Sequence, residues 1–210
     1  MPPFVFSTAT AAGGALTRDR AAVLEHEDTR IVVVADGAGG LPGGAEASDA
    51  VVDAVRARAS VRPFDPYDLR VWSEVLTTTD VDLARSSEGG ETTVIIAVVG
   101  PYGVVGVSVG DCEAWVVGPR RDCLTEKQDR ARLGSKRSRP TPFHRSRLSG
   151  VLVVGTDGLF RHARSEAIAD ACTAGDVSRI ANRLVELPRL RSRAYPDDVA
   201  LVVVSADSVG

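Results

Sequence analysis

The chain has 210 residues, 44% of them hydrophobic, and 28 acids against 25 lysines and arginines give a formal net charge of −3. That length suits one domain with a sizeable core, and the mild acidity carries no overall nucleic-acid signature. No apolar run reaches the length of a membrane span and no basic-then-apolar leader is read. The three cysteines, Cys112, Cys123 and Cys172, form no CxxC pair, so neither a zinc site nor a disulfide framework is expected and a reducing, cytoplasmic compartment is.

In chain order, Phe4 to Phe6 and Ala21 to Leu24 are strand candidates, and Ile31 to Ala35 is a continuous apolar run that reads as a strand buried on both faces. A helix is expected from Gly43 to about Ala59, because Ala47, Ala50, Val51, Ala54 and Val55 recur at helical spacing. A second helix is expected to start near Pro66 and run through Trp72, Val75 and Leu76 to Leu83. Strands then follow at Thr92 to Val99, Val104 to Val109 and Glu113 to Val117. The short turns Pro101-Tyr102-Gly103 and Gly110-Asp111 predict an antiparallel meander for them. From Arg120 to Arg147 about ten Lys/Arg face about three acids, with Gly134, Pro140 and Pro142 interspersed; this reads as a basic, irregular loop. As a guide for an anionic substrate it would be an electrostatic device. As a bland surface loop it would be merely solvated. A strand at Val151 to Val154, helices around Ser165 to Thr173 and Val177 to Leu187, and a last strand from Val199 to Val204 complete the chain. This order fits a layered α+β sandwich better than a doubly wound parallel sheet.

Carboxylates adjoin three of the apolar strands. Asp36 ends the run from Ile31, Asp157 follows Val151 to Thr156, and Asp197-Asp198 precedes Val199. Singly, an Asp-Gly after a strand is most often a turn. Three at buried strand ends point to a shared cation site, because an unpaired ionised Asp there is costly. Oxygen ligands suit Mg2+ or Mn2+ rather than zinc, and two such ions together clamp a phosphoryl group. Nucleotide-binding alternatives fail: Pro42 stands where a GxGxxG run from Gly37 requires glycine, and no P-loop or GxSxG elbow occurs. His26, His144 and His162 show no metal spacing, and Cys112 has no histidine near it in sequence.

Taken in order, these motifs resemble those of the metal-dependent protein phosphatase (PPM, type 2C) family. Val34 to Gly40 is similar to its DGxGG motif, Gly44 to Ser48 to the start of its following helix, and Glu91-Thr92-Thr93 to its GTT entry. Gly110 to Trp115 resembles GDSRAY, Leu124-Thr125 the LT of LTxDH, Thr156 to Phe160 SDGLW, and Asp197 to Val204 DNITVIVV. The resemblance spans Asp19 to Val204, nearly the whole chain, as one domain over 1–210. It implies a four-layer αββα sandwich of two antiparallel sheets with helix pairs outside. It further implies two Mn2+ or Mg2+ ions, with Asp36 bridging them, the Gly37 carbonyl on one, and Asp157 and Asp197 on the other. Asp19 aligns with the Asp of an N-terminal motif, near or on the ions. The implied reaction is hydrolysis of phosphoserine or phosphothreonine esters by a metal-activated water, with no protein nucleophile.

The chain departs from the family pattern at several places. Arg18 precedes Asp19 where an acid or amide is usual, and Gly14 stands where a phosphate-binding arginine is common, leaving Arg18, Arg20 or the basic loop as substitutes. Ala38 replaces the histidine of animal relatives, so protonation of the leaving group falls to water. Arg161 follows the SDGLW-like motif where Asp is frequent. A guanidinium there argues against a third metal on Asp111 and Asp157 and leaves Asp111 a supporting role. The region 119–148 reads as a reduced flap. The alternative to an enzyme is a pseudophosphatase that binds or regulates through an impaired metal site. The preference for arginine over lysine suggests a GC-rich bacterial genome. The expected partners are therefore phosphoproteins, among them a bacterial Ser/Thr kinase or its substrate, with neither nucleic acid nor membrane; the basic loop lacks the aromatic platforms of single-strand binders.

Overall fold

A computed structural model describes residues 4–39, 42–86, 89–125, 131–173 and 175–206. Gly40 of the Asp36 motif and residues 126–130 of the basic segment lie outside them. The chain runs β1 (Phe4–Ala11), β2 (Arg20–His26), β3 (Thr29–Gly37), α1 (Gly44–Ser60), α2 (Leu69–Leu83), β4 (Thr92–Gly100), β5 (Gly103–Val109), β6 (Glu113–Val117), β7 (Arg121–Cys123), β8 (Thr141–Arg145), β9 (Val151–Gly155), α3 (Asp157–Phe160), α4 (Ser165–Ala171), α5 (Val177–Glu186) and β10 (Val199–Ala206). Two five-stranded sheets result, β1-β10-β9-β6-β7 and β2-β3-β4-β5-β8, and their strand pairs are antiparallel.

The apolar runs follow from the layering. Ile31, Val33 and Ala35 of β3 face α1 and α2, together with Val51, Trp72 and Leu76, while Val32 and Val34 face the other sheet. β10 does the same in mirror fashion. Val199, Leu201 and Val203 pack under α4 and α5 with Ile168, Ile180 and Leu184, whereas Val202 and Val204 meet Val32, Val34 and Ile95 between the sheets. A strand covered on both faces loses its polar alternation. Each fully buried Val, Leu or Ile stabilises the sandwich by about 1.5–3 kcal/mol relative to exposure. The order of layers is helices, sheet, sheet, helices, the αββα sandwich expected from sequence.

Three local expectations are corrected. The second helix starts at Leu69, capped by the Asp68 side chain, which accepts from the Arg70 amide at 3.0 Å. Pro66 lies outside it, its carbonyl taken by the Trp72 indole at 2.8 Å. The three strands from Thr92 do not form one meander. β4 and β5 pair, but at Gly110 (φ 94°) the chain leaves the sheet, and β6 joins β9 in the other one. The basic segment is not irregular throughout, since β7 adds to β6 and β8 to β5 as sheet edges. Asp157-Gly158 opens the single-turn helix α3.

Candidate metal centre

Antiparallel pairing gathers the carboxylates at one end of the sandwich. In one sheet, β3 ends where β4 begins, with Asp36 opposite Thr93 and Gly37 opposite Thr92; β2 begins beside them, Arg20 opposite Ala35. Asp19 is thereby placed one residue outside the sheet. In the other sheet, Gly155 at the end of β9 lies between Glu113 of β6 and Leu201 of β10. Asp111 precedes β6, Asp157 follows β9, and Asp197 precedes β10, all at that end. The crossover at Gly110 carries Asp111 from one sheet to the other.

Close backbone contact fixes the end of β3. A Cβ on Gly37 would collide with the carbonyl of Gly44, and one on Gly44 would lie 2.6 Å from the carbonyl of Ala38, so the start of α1 packs directly on the strand end. The Thr92 hydroxyl donates to the Asp36 carbonyl at 2.8 Å, and the Ala38 amide donates to the Glu91 carbonyl at 2.9 Å.

Carboxylate oxygens of Asp36, Asp111 and Asp157 lie within 4.8 Å of one another. Burial, then the charges of Asp19, Asp157, Asp111 and Asp197, push the Asp36 carboxyl up to about 9. Asp19 is 2% exposed and rises to about 7, chiefly through burial; a hydrogen bond from Thr156 opposes the rise, and Asp198, Asp197 and Asp157 add to it. Among the described residues, Oδ2 of Asp19 has no hydrogen-bond partner. Burial and Asp111 also raise Asp157, against the pull of Arg161. Crowded, desolvated carboxylates with an orphaned oxygen fit a hard divalent cation, which would supply the missing positive charge.

Among the residues singled out from sequence, Asp36 and Asp157 share the tight cluster with Asp111. Asp19 and Asp197 stand around it, close enough for each to raise Asp36. Gly37 is buried at the strand end. The two candidate phosphate-binding arginines differ. Arg20 is forked onto Asp49 of α1 at 2.6 and 2.9 Å and also donates to the Thr17 and Asp19 carbonyls. Arg18 runs beside Gly39 with its guanidinium 3.4 Å from Asp198, and its side chain is 38% exposed.

Asp198, Thr156 and Asp80 had no role assigned from sequence. Asp198 is buried and accepts from the amides of Gly13 (2.7 Å) and Arg18 (2.9 Å), tying the loop that carries Gly14 and Asp19 to the start of β10. The doubled Asp197-Asp198 was the available signal. Thr156 accepts from the Ala200 amide at 3.0 Å while bonding Asp19. Asp80 of α2 accepts from the amides of Gly134 (2.6 Å) and Lys136 (3.0 Å) and from the Ser138 hydroxyl (2.7 Å). It organises the turn after Leu133, whose backbone pairs with Thr92. Nothing local to Asp80 announces this.

The family model described as Protein phosphatase 2C matches residues 8–129. Among curated proteins none matches the chain. Solved structures of the same fold include a bacterial serine phosphatase, 18% identical over all of both chains with a TM-score of 0.85. The serine/threonine phosphatase Stp1 from Staphylococcus aureus is 20% identical over 99% of this chain and 96% of its own, with a TM-score of 0.82. The catalytic domain of the serine threonine protein phosphatase PstP, in complex with two manganese ions, is 19% identical over 96% and 97%, with a TM-score of 0.78.

Proposed function

The chain belongs to the protein phosphatase 2C family, and from that premise we propose that it is a Mn2+- or Mg2+-dependent phosphatase of phosphoserine and phosphothreonine in proteins. The observation that carries the reading is the convergence of Asp19, Asp36, Asp111, Asp157 and Asp197 on one end of the sandwich, with Asp36 driven up to about 9 by burial and its neighbours. The two manganese ions in the structure of PstP support the choice of metal.

Asp36, the Gly37 carbonyl, Asp157 and Asp197 would hold the ions, and Asp19 would offer its unpartnered oxygen or orient the set. Bound, such ions lower the pKa of a water and offset charge on a phosphoryl group. Burial and the neighbouring acids keep the Asp36 carboxyl protonated in the metal-free chain, so Asp36 must surrender its proton as the site fills. The methyl of Ala38 offers no proton to a leaving group, which leaves that step to solvent. Arg18 is the better placed of the two candidate arginines for a phosphate oxygen, because Arg20 is committed to Asp49. The substrate class we infer is phosphorylated protein, including a bacterial Ser/Thr kinase or its targets. No helix among the described residues is long and apolar enough to cross a membrane.

Hydrolysis of a phosphothreonine peptide and of p-nitrophenyl phosphate, with Mn2+ and with chelator, tests the reading. Turnover dependent on the metal is expected. Folded protein that turns over neither substrate with any divalent ion contradicts it, and in that case metal binding without turnover points to a pseudophosphatase.

A further inference from the structure

Asp111 sits on the crossover that leads into β6 and Asp157 opens α3 after β9, and one side chain joins them. Arg161 caps the C-terminal end of α3 and turns back over it. Its Nη1 lies 2.7 Å from Oδ2 of Asp157 and its Nη2 3.0 Å from Oδ2 of Asp111. These are two of the three carboxylates whose oxygens fall within 4.8 Å of one another. The fork therefore places a permanent positive charge across the gap between them, since a guanidinium stays protonated at any relevant pH. No comparable cation reaches Asp36 or Asp19 among the described ion pairs.

We propose that Arg161 is a built-in cation that takes the place of a divalent ion between Asp111 and Asp157. It acts as a positioning residue for Asp157, engaging its Oδ2, and confines metal binding to the side of the cluster that Asp157 shares with Asp36, Asp19 and Asp197. The proposal rests on the metal-hydrolase reading above. Two properties of the fork support it. It bridges carboxylates of two separate elements at bonding distance, one guanidinium engaging both acids at once. It also satisfies one outer oxygen of each acid, so an ion entering there must first displace it.

The test counts bound Mn2+ by equilibrium dialysis in wild type, Arg161→Ala and Arg161→Lys, with thermal unfolding to establish that each is folded. Arg161→Gln serves in place of the alanine variant if that variant fails to fold. The expected result is one additional equivalent of Mn2+ per chain in Arg161→Ala and none in Arg161→Lys, which keeps a cation. Equal stoichiometry in wild type and Arg161→Ala overturns the proposal. The wild-type count bears separately on the metal centre: wild type that binds no ion removes the hydrolase reading, whereas the difference between variant and wild type reads Arg161.

Discussion

Asp36 and Asp19 lie among acids and protein interior, with carboxyls raised to about 9 and about 7, whereas Asp157, from the same cluster, has a guanidinium 2.7 Å away. Burial raises all three. The difference is in what answers the charge. On the Arg161 side the protein supplies its own cation, which opposes the rise at Asp157 and ties it to Asp111. On the Asp36 side the described residues supply none, and the apo protein holds protons there instead. A site that must bind and release a metal needs the second arrangement, because a permanent internal cation would compete with the ion. Asp198 is a third case: its charge is spent on two backbone amides and Arg18, which makes it structural.

The largest expected effect comes from breaking the uncompensated side. Asp36→Asn should lower Mn2+-dependent turnover by at least about 100-fold, measured with a phosphopeptide, while the apo melting temperature stays level or rises. At neutral pH the apo chain must take up a proton at Asp36 in order to fold, and asparagine removes that cost. Turnover within a few-fold of wild type in this variant contradicts the assignment of Asp36.

The pH dependence of apo stability separates the two sides next. Asp36 in the folded state titrates far above its unfolded value near 3.8, so between about pH 4 and pH 9 the folded protein binds more protons than the unfolded chain. Apo stability should fall as pH rises through that window, with Asp19 contributing up to about pH 7. Saturating Mn2+ should reverse the trend, because ions compete with protons for the same oxygens. Denaturant melts across pH, with and without metal, measure both slopes; a flat apo profile contradicts the electrostatic picture.

Asp198→Ala should cost about 2–4 kcal/mol, since it leaves the Gly13 and Arg18 amides without their acceptor. Chemical denaturation measures it, and a loss below about 0.5 kcal/mol would mean that the loop is held by other contacts. The smallest stability change belongs to Arg161→Ala. Its side chain is 57% exposed, and a pair so placed is worth about 0–1 kcal/mol. A larger destabilisation in the same melts would mean that Arg161 supports the fold and not chiefly the charge at Asp111 and Asp157.

The elements that position the site were the most legible ones. β3, β4, β9 and β10 are covered on both faces, so each reads as an unbroken apolar run, and an acid at the end of such a run stands out because burying its charge is costly. The order of motifs around Asp36, Asp157 and Asp197 then suggested the sandwich. What local sequence could not carry was choice of partner. Gly110-Asp111 reads alike as a hairpin turn or as a crossing between sheets, and only the pairing of β6 with β9 decides. β7 is only three residues long and β8 is a five-residue edge strand that carries a proline, so both read as loop. The reach of Arg161 to Asp111, the clasp of Asp198 on Gly13 and Arg18, and the hold of Asp80 on the turn after Leu133 each join residues remote in sequence, and no spacing rule reports them.

The central claim is that this end of the sandwich is a proton-loaded metal centre. It is tested most directly by calorimetric titration of Mn2+ into the metal-free protein near neutral pH, in two buffers of different ionisation enthalpy. The account predicts saturable binding with release of at least about one proton per chain, most of it from Asp36 and part from Asp19, and loss of most of that release in Asp36→Asn. Absence of binding, or binding whose heat is the same in both buffers, contradicts it.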